Sequence, residues 1–248
     1  MDSLSGAPRR LTYDRGSSPV WSPDANRVVF SHVTKIAYDL FLKPARGTSA
    51  SELLLESDTQ KYATDWSRDG RFVLYNNIVQ ANGYDVWALP VEGERKPFPF
   101  ANTRFEERQG QFAPNSRWVA YQSNETGRFE IYVQPFPGPG SRVRVSTGGG
   151  AEPRWRGDGR ELFYLAPDGT LMATSVNAAP DDGRLDFQTP TPLFQTGIAL
   201  APSAGGGARK FAYAAAPDGS RFLINTNTAP NLAAPITVVL NWAAGVTK

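Results

Sequence analysis

The 248-residue chain has no cysteine, which excludes a disulfide framework, a thiolate nucleophile and a Cys-ligated zinc site. That absence is compatible with either redox compartment. A single histidine, His32, excludes any site that needs two imidazoles. Charge of one sign is lacking as well: 26 Lys and Arg face 24 Asp and Glu, a formal +2. So small an excess sets up no field to steer the protein toward nucleic acid or an anionic membrane. No apolar run approaches the ~20 residues of a membrane-crossing helix, and Ile236–Leu240 is typical of the longest. The first ten residues, Met1–Arg10, have no apolar stretch of the kind a secretory signal needs. The expectation is a protein kept inside the cell, or part of a longer exported chain.

What the chain does have is turn formers and rings together. There are 23 Gly and 20 Pro, beside 6 Trp, 9 Tyr and 14 Phe. That combination predicts many short strands joined by tight turns.

One pattern recurs: an aromatic ring, a Pro-Asp-Gly-like turn, an Arg, then an apolar strand. It runs through Val20–Phe30, Asp65–Tyr75, Gln111–Tyr121 and Arg154–Tyr164, and a fifth copy, Ala215–Ile224, has lost its ring. The turn residues Asp24, Asp69, Asn115, Asp158 and Asp218 lie 45, 46, 43 and 60 residues apart. A second motif follows each turn. Tyr38–Pro44, Tyr84–Pro90 and Phe129–Pro135 are near-superimposable alternating segments, and Gly169–Val176 and Pro235–Trp242 fill the same slot. Short strands at Glu52–Leu55, Pro97–Phe100, Arg142–Val145 and Pro192–Phe194 close the units.

Each unit is thus a four-stranded antiparallel meander of about the length of a propeller blade. The predicted fold is all-β: a β-propeller of about five blades in one domain, 1–248. Its units are approximately 17–58, 59–103, 104–148, 149–198 and 199–242. The spare strand 9–13 is expected to dock on the last unit, closing the ring and removing two exposed edges. The alternative is a partial arc of a six- or seven-bladed ring. A closed ring is expected to be monomeric.

Trp-Ser-Pro-Asp turns followed by Tyr-Asp-hydrophobic strands resemble the TolB-type, WD-repeat-like propellers of bacteria. The ending, Pro217–Asn225 with Ile236–Trp242, is similar to the tail of propellers fused to bacterial serine/threonine kinases. The resemblance covers about residues 9–242 and implies a module that binds a ligand or a protein, often outside the cytoplasm. No kinase motif accompanies it.

Candidate site residues fall in several groups. Trp21, Trp66, Phe112 and Trp155 share one register beside the turns and are expected to pack between blades. Asp65–Gly70 places oxygen ligands at calcium-loop positions one, three and five, but Asn76 stands where a Glu is needed at twelve. Asx-type turns explain these acids without metal, so no cofactor is expected. His32 has no Gly-x-Ser-x-Gly elbow anywhere in the chain to serve, and is expected on a loop just past the strand Arg27–Ser31. Asp65, Glu107 and Glu152 precede the inner-strand ring by one, five and three residues, with Arg108 and Arg154 beside two of them. Three acids at a channel mouth are what a glycosidase or lyase uses, though their unequal offsets argue against equivalent roles. The loops between second and third strands gather on one face. His32, Lys35, Asn77, Asn82, Asn124 and Arg128, with Arg108 and Arg154, form its predicted ligand-binding rim.

The expected function is a non-catalytic scaffold binding a protein, peptide or small ligand at that face. Two alternatives are a glycosidase or lyase using Asp65, Glu107 and Glu152, and a sensor fragment of a kinase-fused propeller.

Overall fold

A computed structural model of the chain describes residues 11–12, 16–34, 37–46, 49–79, 83–178, 184–198, 211–225 and 237–240. Every regular element among them is a β-strand. In chain order these are β1 (Gly16–Trp21), β2 (Arg27–Val33), β3 (Tyr38–Pro44), β4 (Glu52–Leu55), β5 (Gln60–Trp66), β6 (Phe72–Val79), β7 (Gly83–Pro90) and β8 (Phe98–Ala101). There follow β9 (Glu107–Phe112), β10 (Trp118–Ser123), β11 (Glu130–Pro135), β12 (Val143–Arg144), β13 (Ala151–Trp155) and β14 (Glu161–Leu165). The last six are β15 (Thr170–Ala178), β16 (Leu185–Phe187), β17 (Thr191–Gln195), β18 (Tyr213–Ala215), β19 (Arg221–Ile224) and β20 (Thr237–Leu240).

They form five antiparallel meanders in sequence order: β1 to β4, β5 to β8, β9 to β12, β13 to β17, and β18 to β20. The fourth sheet departs from the simple four-stranded unit. Its outer position is shared, β17 pairing the first half of β15 and β16 the second.

The turn between the first two strands of each sheet is the same object five times. Asp24, Asp69, Asn115, Asp158 and Asp218 each accept the backbone N–H two residues on. The residue after each acid or amide takes positive φ in the first four turns, and again in the fifth: Gly70, Gly159 and Gly219 at 71° to 77°, but Ala25 at 54° and Ser116 at 56°. Glycine reaches that region without the clash a Cβ suffers, so two of the five turns carry a penalty the others avoid.

Packing between sheets follows from strand alternation. Val73 and Tyr75 of β6 face the first sheet, meeting Val29, Leu40 and Leu42. Leu74 between them faces the third, meeting Phe112, Val119 and Tyr121. The third and fourth sheets join through Ile131, Val133, Leu162 and Tyr164, and the fourth and fifth through Phe163, Leu171, Phe222 and Ile224. Apolar residues on both faces are what a stack of blades needs. The inner strands β1, β5, β9, β13 and β18 follow one another side by side around an axis.

Two expectations about the ends need correction. In the predicted closing strand, Arg9, Arg10 and Tyr13 lie outside the described residues, while Leu11 and Thr12 are in no strand. Among the described residues the sheets form an arc that is not closed. Trp21 was expected to be packed like its counterparts. Trp66 is 4% exposed and Phe112 6%, but Trp21 is 58% exposed, because no described sheet covers that side of β1. Leu223, in the register of the wholly buried Leu74, is 48% exposed at the other end of the arc.

Candidate functional site

The inner strands present polar side chains toward the axis, and their geometry begins with a bulge. In β1, β5, β9 and β13 the ladder register slips within the strand, which re-aims the side chains around it. Gln109 and Glu152 sit at these bulges with φ of 55° and 57°. Gly110, next to Gln109, lies so close to Val86 that a Cβ there would be 2.8 Å from its side chain.

A bulge amide no longer pairs within its own sheet, and a buried N–H without a partner is costly. The preceding sheet supplies the acceptor. Ala63 N–H donates to Ser31 Oγ (3.3 Å), Gln109 N–H to Asn76 Oδ1 (2.9 Å) and Glu152 N–H to Gln122 Oε1 (3.0 Å). Ser31, Asn76 and Gln122 occupy the same register on β2, β6 and β10 and are fully buried. The corresponding residue of β14 is Leu165, which accepts nothing. There Glu152 takes over: its Oε2 accepts the Ala212 N–H at 2.6 Å and its backbone oxygen accepts Tyr213 O–H at 2.9 Å.

The other two acids are also joined to their surroundings. Asp65 Oδ2 accepts the Phe112 N–H of the next sheet at 2.7 Å. Burial pushes its carboxyl up to about 6, against the opposing pull of the Phe112 and Trp66 amides and the Arg154 and Arg68 charges. Burial likewise raises Glu152 and lowers Arg154. Arg154 therefore lies in a pocket of compensating groups, acted on by Asp65 and Glu152 and stacked 3.5 Å over the Phe211 ring. Glu107 stands apart from this trio. Wholly buried, it accepts Thr103 N–H (3.0 Å), Thr103 Oγ1–H (2.6 Å) and Ser123 Oγ–H (3.2 Å), pinning the approach to β9.

The predicted rim divides. Arg128 is exposed and pairs with Glu130 at 3.1 Å. Asn124 is half-buried, and its Oδ1 accepts the Glu106 N–H at 3.0 Å. His32, expected just past its strand, lies within β2, half-buried with its ring edge-on to Phe41. Asn77 and Arg108 are interior rather than on the rim. Asn77 accepts Thr59 Oγ1–H. Arg108 is ion-paired with Glu106 and held over the rings of Tyr84 and Phe129, 4.0 and 5.0 Å from their centroids. Lys35 and Asn82 lie outside the described residues. Among the described residues no three His, Asp or Glu side chains converge as metal ligands, and the turn acids are engaged in their own Asx bonds. At the opposite, turn-bearing end, a cleft of about 660 Å³ opens between the third and fourth sheets, lined by Trp118, Trp155, Arg156, Glu161 and Leu185.

Sequence reasoning missed the residues that hold the joints: Ser31, Asn76 and Gln122 on second strands, and Asp39 and Glu130 on third strands. The last two are the acids of Tyr-Asp and Phe-Glu pairs, so the signal was present in the second motif. Its ring has a task too, Tyr38 packing 5.1 Å from Tyr62 of the next sheet.

No protein-family model matches the chain, and no curated protein sequence does. Solved structures match it well. TolB from Acinetobacter baumannii superimposes with a TM-score of 0.63 at 17% identity, over 87% of this chain and 49% of that one. A putative TolB from Agrobacterium tumefaciens gives 0.56 at 18% identity, over 70% and 64%. The fold is a TolB-like β-propeller. An oligogalacturonate lyase in complex with manganese aligns with the propeller at a TM-score of 0.62 and 14% identity, over 95% of this chain and 65% of that one. The chain thus spans between about half and two-thirds of the length of these neighbours. No helix among the described residues is long and apolar enough to cross a membrane.

Proposed function

We propose that this TolB-like propeller is a non-catalytic scaffold that binds a protein or peptide at the loop-bearing face, around His32, Asn124 and Arg128. The observation that supports this reading is the employment of the axial acids. Asp65 and Glu152 each give a carboxylate oxygen to a backbone N–H of the following sheet. A nucleophile or base must have that oxygen available to substrate and held by its surroundings for that purpose. Loops on a rigid scaffold, by contrast, are where recognition usually resides, and TolB-like neighbours share the scaffold.

The test is affinity capture with the immobilised chain, comparing wild type with Arg128→Glu. Asp158→Lys, on the turn-bearing face, is the control. A protein or peptide retained by the wild type and the control, and lost with Arg128→Glu, is the expected outcome. An identical retained set for all three removes the assignment of this face.

A second reading, a glycosidase or lyase, is favoured by one observation: burial raises both Asp65 and Glu152, and the Arg154 charge acts on both. Cleavage of an oligogalacturonate that is lost in Asp65→Asn but retained in Arg128→Glu would establish it over the first.

A further inference from the structure

The fourth sheet differs from its neighbours in three adjoining features at the turn-bearing end. The first is where its third strand stops. β3, β7 and β11 end at Pro44, Pro90 and Pro135, which lie across the ladder from Arg27, Phe72 and Trp118. A proline has no N–H to give a ladder, so strands rarely run on through it. In β15 the equivalent residue is Ser175, opposite Glu161, and the strand continues through Ala178 to pair with β16. The second feature is the turn itself. Ser22 and Ser67 each accept a backbone N–H inside their own turns. Arg156 stands in that place in the fourth turn and reaches Glu161 at 3.0 Å and Asp158 at 3.4 Å.

The third feature is how the joint is filled. Val91, Phe136 and Val176 are equivalent, donating their N–H groups to the carbonyls of Arg71, Arg117 and Arg160. At the first joint Val91 is buried with Trp66, and the Arg27 guanidinium lies 5.2 Å from the centre of that ring. At the second, Phe136 is wedged between Phe72 and Phe112, 5.0 and 4.9 Å from their centroids. At the third, Val176 leaves space beside Trp118 and Trp155, which is the cleft of about 660 Å³. The added strands wall it with Asn177 and Leu185.

We propose that this cleft binds a short neutral oligosaccharide. Its volume lies within the range of small-molecule sites, about 300–1,000 Å³. Its charged side chains are Arg156, Arg160, Asp158 and Glu161, which cancel formally, so the cleft selects no net charge in its ligand. Trp155 is half-buried, and its indole is fixed by a hydrogen bond from its N–H to the Gln111 carbonyl at 3.2 Å. An indole held in this way is a preorganised apolar surface for the C–H groups of a pyranose ring. The Arg156 guanidinium, held by two carboxylates, and the amides of Asn115 and Asn177 supply donors and acceptors for hydroxyls. Of the β16 residues only Leu185 lines the cleft, so no strand edge is offered for a peptide to pair with. The site lies at the opposite end from the loop-bearing face and does not depend on it.

The test is an NMR titration of the tryptophan indole N–H signals with cellotriose, maltotriose and tri-N-acetylchitotriose in turn. A saturable shift of the Trp118 and Trp155 signals with at least one glycan is expected, with Trp66 unmoved. Val176→Phe puts into the cleft a ring like that of Phe136 and should weaken binding about tenfold or more. Asp69→Asn, which keeps its turn bond as Asn115 does, should bind as the wild type does. Should Val176→Phe fail to fold, Ser175→Phe, which fills the cleft from an exposed position, is read in the same way. No shift with any of the three glycans overturns the proposal, as does undiminished affinity in the filled variant. A proline hexamer that moves these signals when the glycans do not also overturns it, and makes the cleft a peptide site.

Discussion

Trp21 and Trp66 occupy one register in consecutive blades, yet the structure assigns them different energies. A Trp ring carries about 200 Å² of surface, so at about 25 cal/mol per Å² complete burial is worth about 5 kcal/mol. Trp66 is 4% exposed, donates its indole N–H to the Gly70 carbonyl at 3.0 Å and lies under the Arg27 guanidinium. Trp66→Ala removes nearly all of that contact and is expected to cost about 3–5 kcal/mol. Trp21 is 58% exposed, so the same scaling leaves it about 2 kcal/mol at most. The assay is urea denaturation of both variants followed by far-UV circular dichroism, comparing midpoints at a common slope. A gap of about 1–3 kcal/mol between them is predicted, with Trp66→Ala the costlier. Equal losses would refute the reasoning, because they would mean that Trp21 is covered in solution and that the exposed end of the arc is not an end.

Three further outcomes follow from the geometry. Asp65 has a folded-state value of about 6 against an ordinary 3.8, so the folded protein holds this proton longer than the unfolded chain does. The stability from this group is complete below about pH 4 and is lost as pH rises through 6. Relative to Asp65→Asn, the wild type should lose about 2–3 kcal/mol across that window, read from urea midpoints at successive pH values; a parallel pair of profiles contradicts it. Lys61→Met strands the buried Asp39 and should cost about 3–5 kcal/mol, largely recovered by adding Asp39→Asn; thermal unfolding of the single and double variants checks this. Gly70→Ala should cost about 1–2 kcal/mol through its φ of 77° alone, since a Cβ there meets nothing within 4 Å; a neutral result in the same assay would show that the turn relaxes.

The blades were legible because their signals are local. A ring, an Asx turn and an alternating strand all lie within about a dozen residues, and repetition turns three common features into one specific pattern. The second motif was equally visible as a strand, but the acid in Tyr38-Asp39 finds its partner in Lys61 of the next sheet and that in Phe129-Glu130 in Ser146 and Gly149 of the following loop, and no spacing rule reveals them. The same holds for Asn76, whose acceptor role depends on a bulge in β9 that pairing alone creates. Asn77 and Arg108 looked like rim residues from their places beside a loop. The structure turns them inward, because Thr59 and the rings of Tyr84 and Phe129 offer partners there. Trp21 failed for a different reason: its register was read correctly, but its burial depends on whether a sheet lies beyond it.

The central claim is that each of the first three sheets is fastened to the next through a side chain that captures the bulge amide of the following inner strand. Amide hydrogen exchange at Gln109, measured by NMR in wild type and in Asn76→Ala, tests it most directly. The account predicts a strongly protected Gln109 amide that loses protection selectively in the variant, while the Ala63 and Glu152 amides, held by Ser31 and Gln122, keep theirs. A Gln109 amide that exchanges freely in the wild type, or is unaffected by Asn76→Ala, would contradict it.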